Sequence, residues 1–309
     1  MDSAALDGHR TPSLAEVLEV LRDLYPEDTA QSWDQVGLVT GDPDQPVRSV
    51  LLAVDPTLDV IDEARELGSD LLVTHHPLLL RGVHSVATTS AKGAAVTRLV
   101  VADIALYGAH TSADVATTGV SQALADALEL RGVEPLAIEE GQPLGRVGQL
   151  PQPTSLRSLV ERLAAVLPPA PVGIRASGPA DAQVTRVAVL GGAGDSLFDE
   201  VRASGADVYI TSDLRHHPAL EAREEAGGGP PYLVDAGHFA TEWLWLDVAR
   251  HALLEGLSAR AATVDVTVST RTTDPWTFLV RTDDDRSSSD HTHPQGTGPA
   301  RPKEDAGEG

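Results

Sequence analysis

Leu71 to Pro77 reads Leu-Leu-Val-Thr-His-His-Pro, a short apolar run that stops at two adjacent histidines. Two further stretches place a histidine four residues ahead of an acid, His110 with Asp114 and His238 with Glu242. Imidazole and carboxylate without sulfur suit Zn, Mn or Fe, and the chain has no cysteine to offer a thiolate. Residues four apart share one face of a helix, so each His-x-x-x-acid pair can present both side chains to one site. Neighbouring side chains on an extended chain point to opposite sides, so His75 and His76 are expected to diverge and to serve different ions. Two ions ~3.5 to 4 Å apart activate water at neutral pH and stabilise both oxygens of a displacement, and the two oxygens of a carboxylate can bridge them. His75, His76, His110, Asp114, His238 and Glu242 form the candidate constellation. Singly, each has a plainer reading, such as an acid placed near a helix N-terminus by the helix dipole. Their recurrence favours a metal site. His216 and His217 read as helix-flanking, His291 and His293 as inert, and Trp243 and Trp245 as packing residues.

The elements that must carry these residues are legible from periodicity and punctuation. A helix is expected from Ser13 to Tyr25, with a Ser13/Glu16 capping box and Leu14, Val17, Leu18, Leu21 and Leu24 at helical spacing. Trp33 to Leu38 enters a short strand, and Val47 to Val54 reads as a buried one. A helix over Leu58 to Leu67, stopped by Gly68, returns the chain as Leu71 to Thr74, which closes a βαβ unit at the histidine pair. A helix over Ala91 to Val101 then feeds a strand, Ile104 to Ala109, followed by a helix from Thr117 to Leu130. A continuous Val/Leu run is the mark of a parallel strand covered on both faces, and open α/β sheets bind ligands beyond their strands' carboxyl ends. The middle reads as a strand from Gly145, a helix over Ser155 to Leu167, and two strands. Nothing in it looks catalytic.

From Val187 the first unit returns without a gap at a shift of 137, with Gly68-Ser69-Asp70 against Gly205-Ala206-Asp207, and Ser212 and Asp213 standing where the first copy has His75 and His76. The next element repeats at a shift of 128, Tyr107-Gly108-Ala109-His110 against Asp235-Ala236-Gly237-His238. A long helix from Thr241 to Leu257 and a strand through Val264, Val266 and Val268 complete the body. The expected fold is therefore α/β, two α/β domains with internally duplicated βαβ units in three layers, α/β/α. Residues 1–135 form the first domain. Residues 136–281 form the second, its last part packing back on the first. Residues 282–309 are expected to be a disordered acidic tail.

Composition narrows the classes. A length of 309 residues suits two domains, and aromatics make up only 4%, so the core must rest on Leu, Val and Ala. The absence of cysteine excludes a disulfide framework and fits a reducing cytoplasm. No run reaches membrane-spanning length, and Met1 to Pro12 lacks a signal peptide's pattern. A formal charge of -23 argues against unspecific nucleic-acid binding.

At these residues the chain resembles the GTP cyclohydrolase 1 type 2 homologues, also called the Nif-three-like dinuclear metal-centre proteins. The likeness spans roughly Ser13 to Arg281. It is carried by Trp33-Asp34-Gln35-Val36-Gly37-Leu38, Thr74-His75-His76-Pro77, His110-Thr111-Ser112-Ala113-Asp114, Thr211-Ser212-Asp213 and Gly237-His238-Phe239-Ala240-Thr241-Glu242. Gln35 stands where the family usually has Asn, and Ser212 where Gly is frequent. The resemblance implies a two-domain α/β protein forming a toroidal homohexamer, with two divalent ions per chain. By motif position the ligands are His75, His76, Asp114, His238 and Glu242, with Glu242 as the bridge. His110 then either backs the ligands or faces the substrate, where it is the candidate proton shuttle. Two readings follow. One is a metal-dependent hydrolase of a small nucleotide-like substrate, since opening a guanine imidazole ring needs activated water and a proton shuttle. The alternative is a non-catalytic metal-bearing ring that binds a protein or nucleic-acid partner.

Overall fold

The computed structural model describes residues 10–280, so the tail expected over 282–309, with His291 and His293, lies outside the described residues. In chain order the elements are α1 (Leu14–Leu24), β1 (Gly37–Thr40), β2 (Ser49–Ala53), α2 (Leu58–Leu67), β3 (Leu71–Thr74), α3 (Ala91–Val101), β4 (Ala105–Gly108), α4 (His110–Val115) and α5 (Val120–Ala127). There follow β5 (Arg131–Glu139), β6 (Gln142–Ser155), α6 (Leu156–Val166), β7 (Arg175–Ser177), β8 (Gln183–Ala193), α7 (Phe198–Ser204), β9 (Val208–Ser212), α8 (His216–Glu225), β10 (Tyr232–Asp235), α9 (His238–Ser258) and β11 (Asp265–Val268).

Local chemistry accounts for several boundaries. α1 starts at a complete capping box: the Glu16 amide donates to the Ser13 hydroxyl, and the Ser13 amide donates to the Glu16 carboxylate at 2.9 Å. α2 starts on Thr57, whose side chain accepts from the Val60 amide, and stops at Gly68 in the left-handed region, φ 66°.

Two sheets result. The first has the order β1-β4-β3-β2-β11, in which β4, β3, β2 and β11 run parallel and β1 is antiparallel to β4. The second has the order β5-β6-β8-β9-β10-β7, parallel only across β8, β9 and β10. The duplication is physical as well as textual. Asp70 accepts from the amides of Arg48 and Ser49 at 2.6 and 3.2 Å, and Asp207, 137 positions on, accepts from Thr185 and Arg186 at 2.8 Å each. Gly205 ends α7 in the conformation Gly68 gives α2, φ 68°.

α5 and α9 lie between the sheets, contributing Val120, Ala123, Trp245 and Leu246 to the core of the first and Leu124, Ala125 and Ala240 to that of the second. α2 and α3 cover the outer face of the first sheet, and α7 and α8 that of the second. Each sheet therefore sits in an α/β/α sandwich, and the two share a helical middle layer. β11, the last strand described, lies in the first sheet beside β2. No helix among the described residues is long and apolar enough to cross a membrane.

The structure differs from the expectation in two places. The helix expected over Thr117 to Leu130 is two helices, because the chain is extended at Ala116 and a Cβ at Gly119 would lie 1.9 Å from the Ala113 carbonyl. The strand expected from Gly145 is β6, but β5, its hairpin partner, has no counterpart in the sequence reading. β5 is an outer strand, mostly exposed, and contains Pro135 and three charges instead of alternating apolar residues.

Candidate metal centre

The carboxyl ends of β3, β4 and β9 and the first turns of α4 and α9 meet at one point. β3 ends at Thr74, whose hydroxyl donates to the His76 carbonyl at 2.8 Å and bends the chain. The expected divergence of His75 and His76 therefore does not occur, since strand alternation no longer applies beyond Thr74. Instead both rings turn toward one carboxylate oxygen: Glu242 Oε2 lies 3.4 Å from His75 Nδ1 and 3.3 Å from His76 Nε2. The other oxygen, Oε1, is 2.9 Å from His238 Nε2, one helical turn earlier on α9. His75 Nε2 reaches Asp114 Oδ1 at 3.2 Å, so Asp114 and His238 stand at opposite ends of a continuous chain of donors. Among them, His75, His76 and Glu242 each offer a ligand atom within 4.8 Å of one another.

The His110/Asp114 pair behaves differently from the His238/Glu242 pair. His110 donates Nδ1–H to Asp34 Oδ1 at 2.7 Å, whereas Asp114 pairs with His75. Its ring lies edge-on to His75 and His76, centroids 5.5 Å from each, and Trp33 packs against its outer side at 5.6 Å. Asp34 also accepts from the Thr111 amide and hydroxyl at 3.2 and 2.6 Å, so the start of α4 is pinned to the loop before β1. Trp245 is fully buried, donates to the Tyr25 hydroxyl and abuts the His75 ring at 5.6 Å, a packing role. His216 and His217 open α8, exposed and outside this cluster.

Each imidazole facing the centre from the side is backed by a carboxylate. His76 Nδ1–H donates to Asp55 and His238 Nδ1–H to Asp213, both at 2.8 Å. Such bonds fix the tautomer and leave Nε2 as the free lone pair. Nε2 of His76 and Nε2 of His238 then face each other at 3.2 Å. Two lone pairs at that distance need a proton or a cation between them. Two nitrogens on one ion at about 2.0–2.1 Å would stand roughly 2.9–3.4 Å apart, so the spacing fits a shared ion. Buried His75 Nδ1 and Glu242 Oε2 have no hydrogen-bond partner, although 3.4 Å apart. Unsatisfied buried polar atoms are costly, and these two point at the same place. The donor set fits a divalent transition metal.

The electrostatics agree. Burial works against charge on His75, but the Glu242 and Asp114 carboxylates outweigh it and lift its pKa to about 9. The same contest, with Glu242 and Asp55 prevailing over burial, lifts His76 to about 11. Glu242, with help from Asp213, lifts His238 to about 9 despite burial. Burial pushes the Glu242 carboxyl up, yet His75, His76 and His238 hold it well below the usual carboxylate range. Asp34 is held at about 2, since His110 and Thr111 prevail over burial. Without an ion, protons supply the positive charge that this buried carboxylate demands.

A family model described as Duf34/NIF3 (NGG1p interacting factor 3) matches residues 12–275. The chain belongs to the Duf34/NIF3 family. A Streptomyces coelicolor relative named GTP cyclohydrolase 1 type 2 homolog is 50% identical over 274 residues, covering 87% of this chain and 95% of its own. Among solved NIF3-type structures, the Bacillus cereus protein related to NIF3 superposes with a TM-score of 0.80 at 25% identity, covering 87% of this chain and all of the other. Reduced HcgD from Methanocaldococcus jannaschii gives 0.68 at 30% identity, covering 84% and 98%.

Sequence reasoning missed Asp55 and Gly192 altogether and gave Asp34 and Asp213 no role. Asp213 carried a signal, because the duplication aligns it with His76. Gly192 closes the floor of the site. Its φ is 71°, and a Cβ there would stand 2.6 Å from Glu242 Oε1.

Proposed function

We propose that the chain is a metal-dependent hydrolase that works with two divalent ions, Zn, Mn or Fe, on a small nucleotide-like substrate and assembles as a homohexamer. The reading is carried by the reach of Glu242 to all three imidazoles, Oε1 at His238 and Oε2 before His75 and His76, together with the 3.2 Å Nε2–Nε2 spacing that pairs His76 with His238. His75 and Asp114 would hold one ion, His76 and His238 the other, and Glu242 both. When bound, such a pair supplies the Lewis acidity that activates water at neutral pH. The chain's own residues do the rest. Asp55 and Asp213 orient the imidazoles they back. Asp34 holds the Nδ1 proton of His110 and so leaves Nε2, beside the two central histidines, to take up and return a proton. The name of the Streptomyces relative supports the nucleotide-like substrate, and the family resemblance supports the hexamer.

The test is protein reloaded with Mn, Fe or Zn, assayed for metal content by elemental analysis and for turnover against nucleotides and phosphoesters by chromatography. Two ions per chain and turnover abolished by His110→Ala are expected. No more than one ion per chain would refute the pair. Fully loaded protein that turns over nothing would refute the hydrolase and favour a metal-bearing ring that binds a partner. Sedimentation equilibrium checks the hexamer.

A further inference from the structure

A cleft of about 670 Å³ opens on His76 and His238, within the usual range for small-molecule sites. Its far wall is residues 273–280, which the Thr273 hydroxyl ties to Asp55, the same carboxylate that backs His76. That wall presents Trp276 and Phe278. Of the chain's 3 Phe, 4 Trp and 4 Tyr, the rings left exposed are Trp33, Trp276 and Phe278, at 54, 63 and 76%. Exposed apolar side chains scattered singly call for no explanation. Here all of them flank one centre, Trp276 and Phe278 on the cleft and Trp33 against His110. In a chain so poor in aromatic residues, two of the three exposed rings line the cleft itself.

The charge of the cleft is equally specific. Asp55, Asp213, Asp235 and Asp274 line it, and Arg175, the one Arg or Lys among its described lining residues, already donates to Asp235 at 2.6 Å. In the smaller cavity on the other side of His76, Lys92 is likewise committed, to the Leu78 carbonyl. Phosphate recognition needs Arg or Lys hydrogen bonds or a field of positive sign, and on this cleft that field would come from the ions of the metal centre. Stacking, by contrast, needs only a π-face.

We infer that this cleft takes a flat, uncharged heteroaromatic ring of nucleobase or nucleoside size, stacked on Trp276. This rests on the metal-centre reading, because the ring would lie against His76 and His238.

Mn-loaded full-length protein, its metal content measured first, is titrated calorimetrically with guanosine and with adenosine. At least one nucleoside should bind measurably. Trp276→Ala should weaken that nucleoside about tenfold or more with metal content unchanged, Trp276→Phe should restore most of the affinity, and Phe278→Ala should show a smaller loss. Wild-type protein that fails to hold metal sinks the metal-centre reading itself, before any ligand is added. Metal-loaded protein that binds neither nucleoside, or binds one equally after Trp276→Ala, overturns the inference. A Trp276→Ala protein altered only in sedimentation would identify the aromatic wall as a contact between chains and overturn it too.

Discussion

Glu242→Gln is the substitution that asks most of the proposed centre. Glutamine has nearly the same shape, and residue 242 is 2% exposed on a helix packed between two sheets, so the fold should persist. What changes is the donor. The carboxylate places one oxygen 2.9 Å from His238 and the other 3.3 and 3.4 Å from His76 and His75, whereas the amide keeps a single oxygen and its nitrogen cannot ligate. One ion would retain a neutral donor and the other none. Losing a mere outer partner of a ligand costs about 10–100-fold in metal affinity. Losing a shared charged ligand should therefore cost at least ~100-fold, about 2.8 kcal/mol, for each ion. Asp114 stands at one end of the donor chain, so Asp114→Asn should empty one position only. Elemental analysis after dialysis, with anomalous diffraction at the metal edge on both variants, separates the cases. The bridging role is refuted if Glu242→Gln keeps both ions at full occupancy, or if Asp114→Asn loses both while Glu242→Gln loses one.

The histidines set a pH dependence of opposite sign with and without metal. Their pKa values rise from 6.5 to about 9, 11 and 9, so the stability they add is fully present below pH 6.5 and is lost as pH climbs through 9 and then 11. Metal-free protein should melt lower at pH 10 than at pH 6 in a calorimetric scan. Metal must displace those protons, so affinity should rise from pH 6 toward 9, with about two to three protons released per chain when titrations in buffers of different ionisation enthalpy are compared. Gly192→Ala should lower metal content, because its Cβ would crowd Glu242 Oε1 at a positive φ; unchanged metal loading would show that the floor can yield. Asp34→Asn should lose about 1–3 kcal/mol in denaturant unfolding, since it weakens buried bonds to His110 and Thr111, while leaving metal content intact. Loss of metal in that variant would mean that the start of α4 also positions Asp114.

Features decided within about ten residues were open to the sequence. The Ser13/Glu16 box, the Thr57 start and Gly68 stop of α2, and the apolar run of β3 are local signals, and they put the helix ends and the histidine pair where the structure has them. Duplication was equally legible, and Asp70 and Asp207 show why it survives: each closes the same backbone turn in its own half. Other features depend on distance in the chain. His76 and His238 are 162 positions apart, and the two meet at 3.2 Å only because α9 is packed between the sheets. The carboxylates behind the imidazoles, Asp34, Asp55 and Asp213, sit in loops without periodicity, so nothing near them in sequence marks their partners. Even the geometry of the histidine pair needed the tertiary structure, because alternation holds only while the strand lasts and the strand ends one residue before them. Residue types and spacing determined which chemistry the chain can support. The packing of a shared helical layer decided which atoms face one another.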